Sequence, residues 1–351
     1  MVLAQNVGID GGLEDFKVCF MILTQDQSLK IKGSRTFSNT LKGFEAFNKW
    51  VQNKKLEDVA LRFTMEATGV YYEQLAYYLH GKGYYLSVLL PNKAKAYFQT
   101  LNLKSKTDKL EAQALAQIGL ERKFAKWEPL SEQMYQIKRL CRERVMLLEE
   151  KTMISNRLHA EQHCQSPSSW GIKRMKKRLQ LLKKQIQQVE QQMLSLTQKD
   201  KALWERIEKI CQLKGLGFIT VISVVAETNG FTLFKNRAQL TSYAGYDVVQ
   251  RQSGSSVRGK TKISKKGNRY IRRALHLPSL SVIRYNEEFR QLYDRIYDRT
   301  KIKMKGIVAV QRKLLLLIYT LFTKNQVYDP NYRKQNNLQS CRQDTCPAYS
   351  G

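Results

Sequence analysis

The sequence predicts an α/β unit at its start and all-α structure after it, and three patterns predict this. Short apolar runs alternate with amphipathic stretches as far as about residue 125. From about residue 129 to 205 the chain is rich in Lys, Arg, Gln, Glu and Leu and nearly free of Gly. Within that stretch Ile172, Met175, Leu179, Leu182, Ile186, Val189, Met193 and Leu196 recur at intervals of three and four without a break. That spacing is a coiled-coil seam.

Taken in order, Val7–Asp10, Phe16–Leu23 and Lys30–Phe37 read as three consecutive strands, because each is a short apolar or alternating run. Leu41–Val51 has helical periodicity. Val59–Glu66 reads as a strand, Tyr71–His80 as a helix and Tyr84–Leu90 as a strand that Pro91 ends. Asp108–Arg122 reads as a helix. Three strands in a row, then alternating helix and strand, is the order of a ribonuclease-H-like sheet. In that order, acids meet at the ends of the first and fourth strands and on a late helix.

A looser apolar pattern from Glu132 to about His163 predicts a helix before the seam, and the breaker Gln165–Gly171 separates the two. They read as an antiparallel helical hairpin, or as arms that pair with another subunit. Residues 207–325 read as a further, mainly helical unit. There Ile210–Ala226 resembles a helix-hairpin-helix, with Gly215 and Gly217 allowing a tight turn near a phosphate. The tail from Asp329 is polar, without an apolar period, and reads as disordered. The expected division is therefore 1–128, 129–205, 206–328 and 329–351.

Charge narrows the function. Among 351 residues, 60 Lys and Arg face 30 Asp and Glu, a net charge of +30. Self-repulsion of that size is best tolerated beside a polyanion, so DNA or RNA is the expected partner. A membrane surface is the rival, but no basic amphipathic anchor or lipidation signal supports it. The longest apolar stretch, Leu314–Phe322, is short of the roughly 20 residues a span requires. The first residues lack the basic and apolar segments of a secretion signal. The six cysteines form no CxxC pair, which argues against zinc and for reduced thiols. A cytoplasmic, nucleoid-associated protein is expected.

Four acids carry the chemistry. Asp10 and Glu66 each end an apolar strand, and Asp108 and Glu111 lie three apart at a helix start, so both face one way. Clustered carboxylates repel unless a divalent cation neutralises them. Oxygen-only sites of this kind hold Mg²⁺ or Mn²⁺ and act on phosphodiesters. Taken singly, each acid could be a strand end or a helix start that favours the dipole. Glu14, Asp15 and Glu73 read as solvated.

A second constellation is Gln252-Ser-Gly-Ser-Ser256, followed by a basic run to Arg273. A serine in a Gly-flanked loop can expose its hydroxyl, and dense cations lower the barrier to attack on a phosphate. Residue chemistry alone favours a loop that only binds nucleic-acid backbone. The candidate backbone contacts are Lys214, Gly215, Gly217, Arg258, Lys260, Lys262, Lys265, Lys266, Asn268, Arg269, Arg272 and Arg273. Lys173, Arg174, Lys176, Lys177, Arg178, Lys183 and Lys184 flank the heptad seam, either as a solvated face or as a backbone-binding one. His159, His163 and Cys164 lie together, but no fourth ligand is in view.

These motifs together resemble the insertion-sequence-110 group of prokaryotic transposases, the DEDD transposases. Gly8-Ile-Asp10, Glu66-Ala-Thr-Gly69 and Lys106-Thr-Asp-Lys-Leu-Glu-Ala112 resemble their Holliday-junction-resolvase-like (RuvC-like) domain. Leu213-Lys-Gly-Leu-Gly217, Ser242-Tyr-Ala-Gly245, Gln252-Ser-Gly254, Ile263-Ser-Lys-Lys-Gly-Asn268, Arg272-Arg-Ala-Leu275 and the segment from Lys301 to Tyr319 resemble their second domain. The resemblance covers about residues 5–328.

It implies excision and insertion of an element by site-specific recombination, with Mg²⁺ on the acids and a structured guide RNA pairing with donor and target DNA. It also implies dimers and tetramers with active sites composed across subunits. A serine forming a covalent 5′-phosphoserine link is implied as well, and Ser253 matches its motif, with Ser255 and Ser256 as rivals. One departure is Glu111, where the family usually has Asp. The extra methylene moves the carboxylate by roughly 1.5 Å. Two alternatives stay open: a structure-specific nuclease using the acids and water, and a non-catalytic nucleic-acid-binding derivative.

Overall fold

The computed structural model describes residues 1–101, 107–232, 234–250, 252–253, 257–259 and 261–329, with the side chains of 252, 253, 257 and 258 excepted. The expected disordered tail therefore lies, beyond Asp329, outside the described residues. The chain divides into two compact units, Met1–Pro129 and Leu130–Gly351.

The first unit is built on a five-stranded sheet of β1 (Val2–Gly11), β2 (Asp15–Thr24), β3 (Leu29–Ser38), β4 (Leu61–Glu66) and β5 (Tyr85–Leu89). The strand order is β3-β2-β1-β4-β5. The first three strands are antiparallel, and β4 and β5 run parallel to β1. This is the ribonuclease-H-like order expected from the sequence. The central strand β1 is buried from Ala4 to Ile9, as a strand covered on both faces must be. Its two polar core residues are satisfied: the Gln5 amide donates to the Leu56 carbonyl at 2.7 Å, and Asn6 Nδ2 donates to the Ala116 carbonyl at 2.8 Å.

Helices α1 (Leu41–Gln52) and α2 (Glu73–Gly81) supply Phe44, Phe47, Val51, Leu75 and Leu79 to one core, with the sheet's Phe16, Phe20 and Phe63. The helix α3 (Pro91–Thr100) follows β5 directly. In the sequence Pro91 reads only as the strand's end; its fixed φ also suits the first helical turn. The helix α4 (Asp108–Glu121) packs on β1 with almost no gap. A methyl group on Gly8 would collide with the Ala112 carbonyl oxygen and the Ala116 nitrogen. Small residues on both elements thus bring the start of α4 to the end of β1.

The second unit is helical. Its long helices α5 (Glu132–His163) and α6 (Ser169–Lys199) pack side by side and antiparallel, since Gln133 meets Leu196 and Arg144 meets Glu190. On α6 the buried positions are Leu182, Ile186, Val189, Met193 and Thr197. Ile137, Cys141, Val189 and Met193 share one core with the helices that follow. Those are α7 (Lys201–Cys211), α8 (Phe218–Glu227), α9 (Arg237–Ala244), α10 (Arg269–Tyr285), α11 (Glu287–Thr300) and α12 (Lys303–Lys324).

Between α9 and α10, β6 (Val248–Val249) pairs with β9 (Lys262–Ile263), and β7 (Gln252–Ser253) pairs with β8 (Val257–Arg258), both antiparallel. By length and composition alone α12 could cross a membrane, which the shorter run Leu314–Phe322 does not suggest. Val310, Leu314, Leu315, Ile318, Leu321 and Phe322 on it are buried in the unit's own core.

Candidate functional site

The parallel pairing of β1 with β4 sets Ile9 beside Met65, so Asp10 and Glu66 emerge side by side at the same end of the sheet. Both are half-buried. Asp108 is the first residue of α4 and Glu111 lies in its first turn, with Thr107 capping the helix through Leu110 N. Asp108 is exposed and Glu111 half-buried.

These carboxylates feel one another. Asp10 is pushed up to about 7, first by burial and then by the charges of Glu111, Asp108 and Glu66, while Lys17 pulls the other way. Three acids from β4 and α4 therefore converge electrostatically on the one at the end of β1. Among the described residues no three acids are drawn into a preformed ligand cluster.

The Lys17 ammonium, on β2 opposite Asp10 in the strand register, bonds the Asp108 carboxylate. An ammonium thus sits against one of the four acids. The all-oxygen, strongly anionic donor set fits a hard divalent ion. Asp10, Glu66, Asp108 and Glu111 are the residues that would hold it. Sequence reading misses Lys17 because only the β1–β2 register brings it to the acids.

In the second unit the serine hairpin is described by its backbone alone. Ser253 pairs with Val257. Ser255, Ser256 and Lys260, and the side chains of Ser253 and Arg258, lie outside the described residues.

The basic candidates divide by their surroundings. Lys262, Lys265, Lys266 and Arg269 are exposed, with Arg269 over the Tyr270 ring at 5.1 Å. Lys214 lies 5.0 Å over the Tyr285 ring. Gly215 has φ +99°, and its Cα faces the Ser281–Val282 backbone so closely that a Cβ would crowd it at 3.1 Å. Gly217 is the N-cap of α8, with open space beside it. Arg272 donates to the Ala244 carbonyl at 2.7 Å, and Arg273 pairs with Glu149.

Asn268 is spent on architecture. Its side-chain oxygen caps α10, and its amide donates to Glu227 at 2.7 Å. Glu227 is buried and takes two hydrogen bonds from Arg142, at 2.7 and 2.9 Å. This network ties α5 and α8 to the basic segment before α10. Nothing in the sequence marks Glu227, which ends an apolar helix. His159 and His163 lie with ring centroids 4.3 Å apart and tilted by 47°, and no metal-holding group forms around them among the described residues.

Known proteins are similar to the chain in both of its units. The family model of DEDD transposases of the IS110 type, described as a transposase, matches residues 7–161. A second, described as transposase IS116/IS110/IS902 family, matches residues 207–294. The chain is 26% identical over 328 residues to the pilin gene-inverting protein of Moraxella bovis, covering 92% of this chain and 97% of that protein. It is 29% identical to the insertion element IS900 42 kDa protein of Mycobacterium paratuberculosis, over 35% of this chain and 31% of that one. It is 24% identical to the insertion element IS110 43.6 kDa protein of Streptomyces coelicolor, over 34% and 29%.

Among solved structures, T. thermophilus RuvC in complex with a Holliday junction substrate matches 33% of this chain and 90% of that one, at 13% identity and a TM-score of 0.23. With both halves matched in order, the chain belongs to the IS110 family of DEDD transposases, enzymes that recombine DNA.

Proposed function

We propose that this transposase excises and inserts its element by cutting and rejoining DNA, with Mg²⁺ held by Asp10, Glu66, Asp108 and Glu111 and with Ser253 as nucleophile. Mn²⁺ would serve as a substitute. The observation that carries the reading is the convergence of three carboxylates on Asp10. When bound, the divalent ion offsets charge on the attacked phosphate. The acids from the ends of β1 and β4 and the start of α4 would fix where that phosphate sits.

The serine Oγ would bond to phosphorus while the bond to the 3′-oxygen breaks. The serine gives up a proton and the departing 3′-oxygen gains one, leaving a 5′-phosphoserine. Attack by a new 3′-hydroxyl reverses these steps and restores the serine, so no energy source is consumed. Arg258, Lys260, Lys262, Lys265, Lys266 and Arg269 would hold the scissile backbone.

Rejoining is favoured over simple hydrolysis by the similarity, along nearly the whole chain, to a protein named for inverting a gene. The +30 charge suits both DNA and a structured guide RNA. The α5–α6 hairpin would pair subunits into dimers and tetramers, with each active site composed across them. Such a protein would work on the nucleoid in the cytoplasm.

The test uses the full chain with its co-purifying RNA, Mg²⁺ and DNA carrying an element end. A protease-sensitive protein–DNA adduct should form in wild type and vanish in Ser253→Ala. Cleavage that persists in Ser253→Ala without an adduct would remove the nucleophile and leave a nuclease that uses water.

A further inference from the structure

Lys17 stands out because it is a cation bonded to one of the four acids. It lies across from Asp10 in the β1–β2 register, and its ammonium bonds Asp108 on α4. Asp15 and Asp10 also add to the negative field that keeps it charged. Its side chain therefore joins β2 to α4, beside Asp10 on β1. We propose that Lys17 is an internal counter-cation that positions Asp108 in the metal-free protein and must leave it when a divalent ion enters. The proposal rests on the reading of the four acids as metal ligands.

Physical chemistry makes the exchange feasible. Without any cation, four carboxylates at one end of the sheet would push α4 away from β1. A lysine can hold them, because its ammonium is a compact charge on a long stem with rotatable bonds. It can also let go. The Lys17 side chain is 33% exposed and that of Asp108 is 61% exposed, so water compensates most of what the pair loses on parting. A divalent ion brings twice the charge to the same oxygens and gains several of them at once. The plain alternative is an ordinary surface ion pair with no link to metal.

The test titrates Mn²⁺ alone into the full chain at fixed ionic strength, following free Mn²⁺ by paramagnetic resonance. Wild type is compared with Lys17→Gln and Lys17→Arg. Lys17→Gln should bind about two- to fivefold more tightly, and Lys17→Arg, which keeps the charge, should match wild type. Hydrogen exchange in the first turn of α4 provides the second reading. Without metal it should be faster in Lys17→Gln than in wild type, and Mn²⁺ should abolish the difference.

Equal or weaker binding by Lys17→Gln would overturn the proposal while leaving the metal site standing. Equal tightening in Lys17→Arg would overturn it too, since charge would not be the cause. Faster exchange in Lys17→Gln with and without Mn²⁺ would reduce Lys17 to a surface pair. No Mn²⁺ binding by wild type and Lys17→Gln alike would remove the metal site and the proposal together.

Discussion

At the scale of single residues, the acid site depends on an absent side chain. Gly8 lets α4 lie against β1, and a Cβ there would strike backbone atoms of Ala112 and Ala116. Backbone cannot swing aside as a flexible side chain can. Gly8→Ala should therefore cost about 1–3 kcal/mol or more, read by denaturant unfolding, and should abolish DNA cleavage by shifting Asp108 and Glu111. Asp10 gives a second prediction. Its folded pKa, about 7, lies above that of the unfolded chain. Its contribution to stability is complete below about pH 4 and is lost as pH rises through about 7. With metal chelated, wild type should lose more stability between these pH values than Asp10→Asn. Identical pH slopes in the two proteins would contradict the crowding of charge at Asp10.

At the scale of elements, α6 is the clearest case of surface chemistry. Lys173, Arg174, Lys176, Lys177, Arg178, Lys183 and Lys184 are all exposed, while the apolar positions turn inward. If this face binds nucleic-acid backbone, replacing Lys173, Lys177 and Lys184 with Gln should flatten the dependence of log affinity on log salt. The slope changes by nearly one unit for each phosphate that is no longer neutralised. An unchanged slope in filter binding would make it a solvated face. The network at α10 predicts differently: Asn268→Ala removes the helix cap and one partner of buried Glu227. It should destabilise the second unit by about 0.5–2 kcal/mol or more.

Elements with strong periodicity were legible in the sequence: β1 to β3, β4, α4 and the two long helices follow from runs of apolar residues. The helix α3 was not, since Ala94 and Tyr97 give it a short buried face and Pro91 could equally end a strand. The role of Lys17 was not legible, because a strand's register sets its neighbours. Nor was Glu227, whose partners Arg142 and Asn268 lie 85 and 41 residues away along the chain.

At the scale of the whole molecule, the two proposed sets of site residues lie in different units. The acids belong to the α/β unit and the serine hairpin to the helical unit. The two family models match residues in both units. The most direct measurement is Mg²⁺-dependent cleavage of element-end DNA by wild type and Asp10→Asn, with hydrogen exchange as a check on folding. Wild type should cleave with Mg²⁺ and stop in chelator. Asp10→Asn should stay folded and lose more than the roughly 10–100-fold that follows loss of a residue merely supporting a metal site. Cleavage by Asp10→Asn at the wild-type rate would contradict the assignment of the acids.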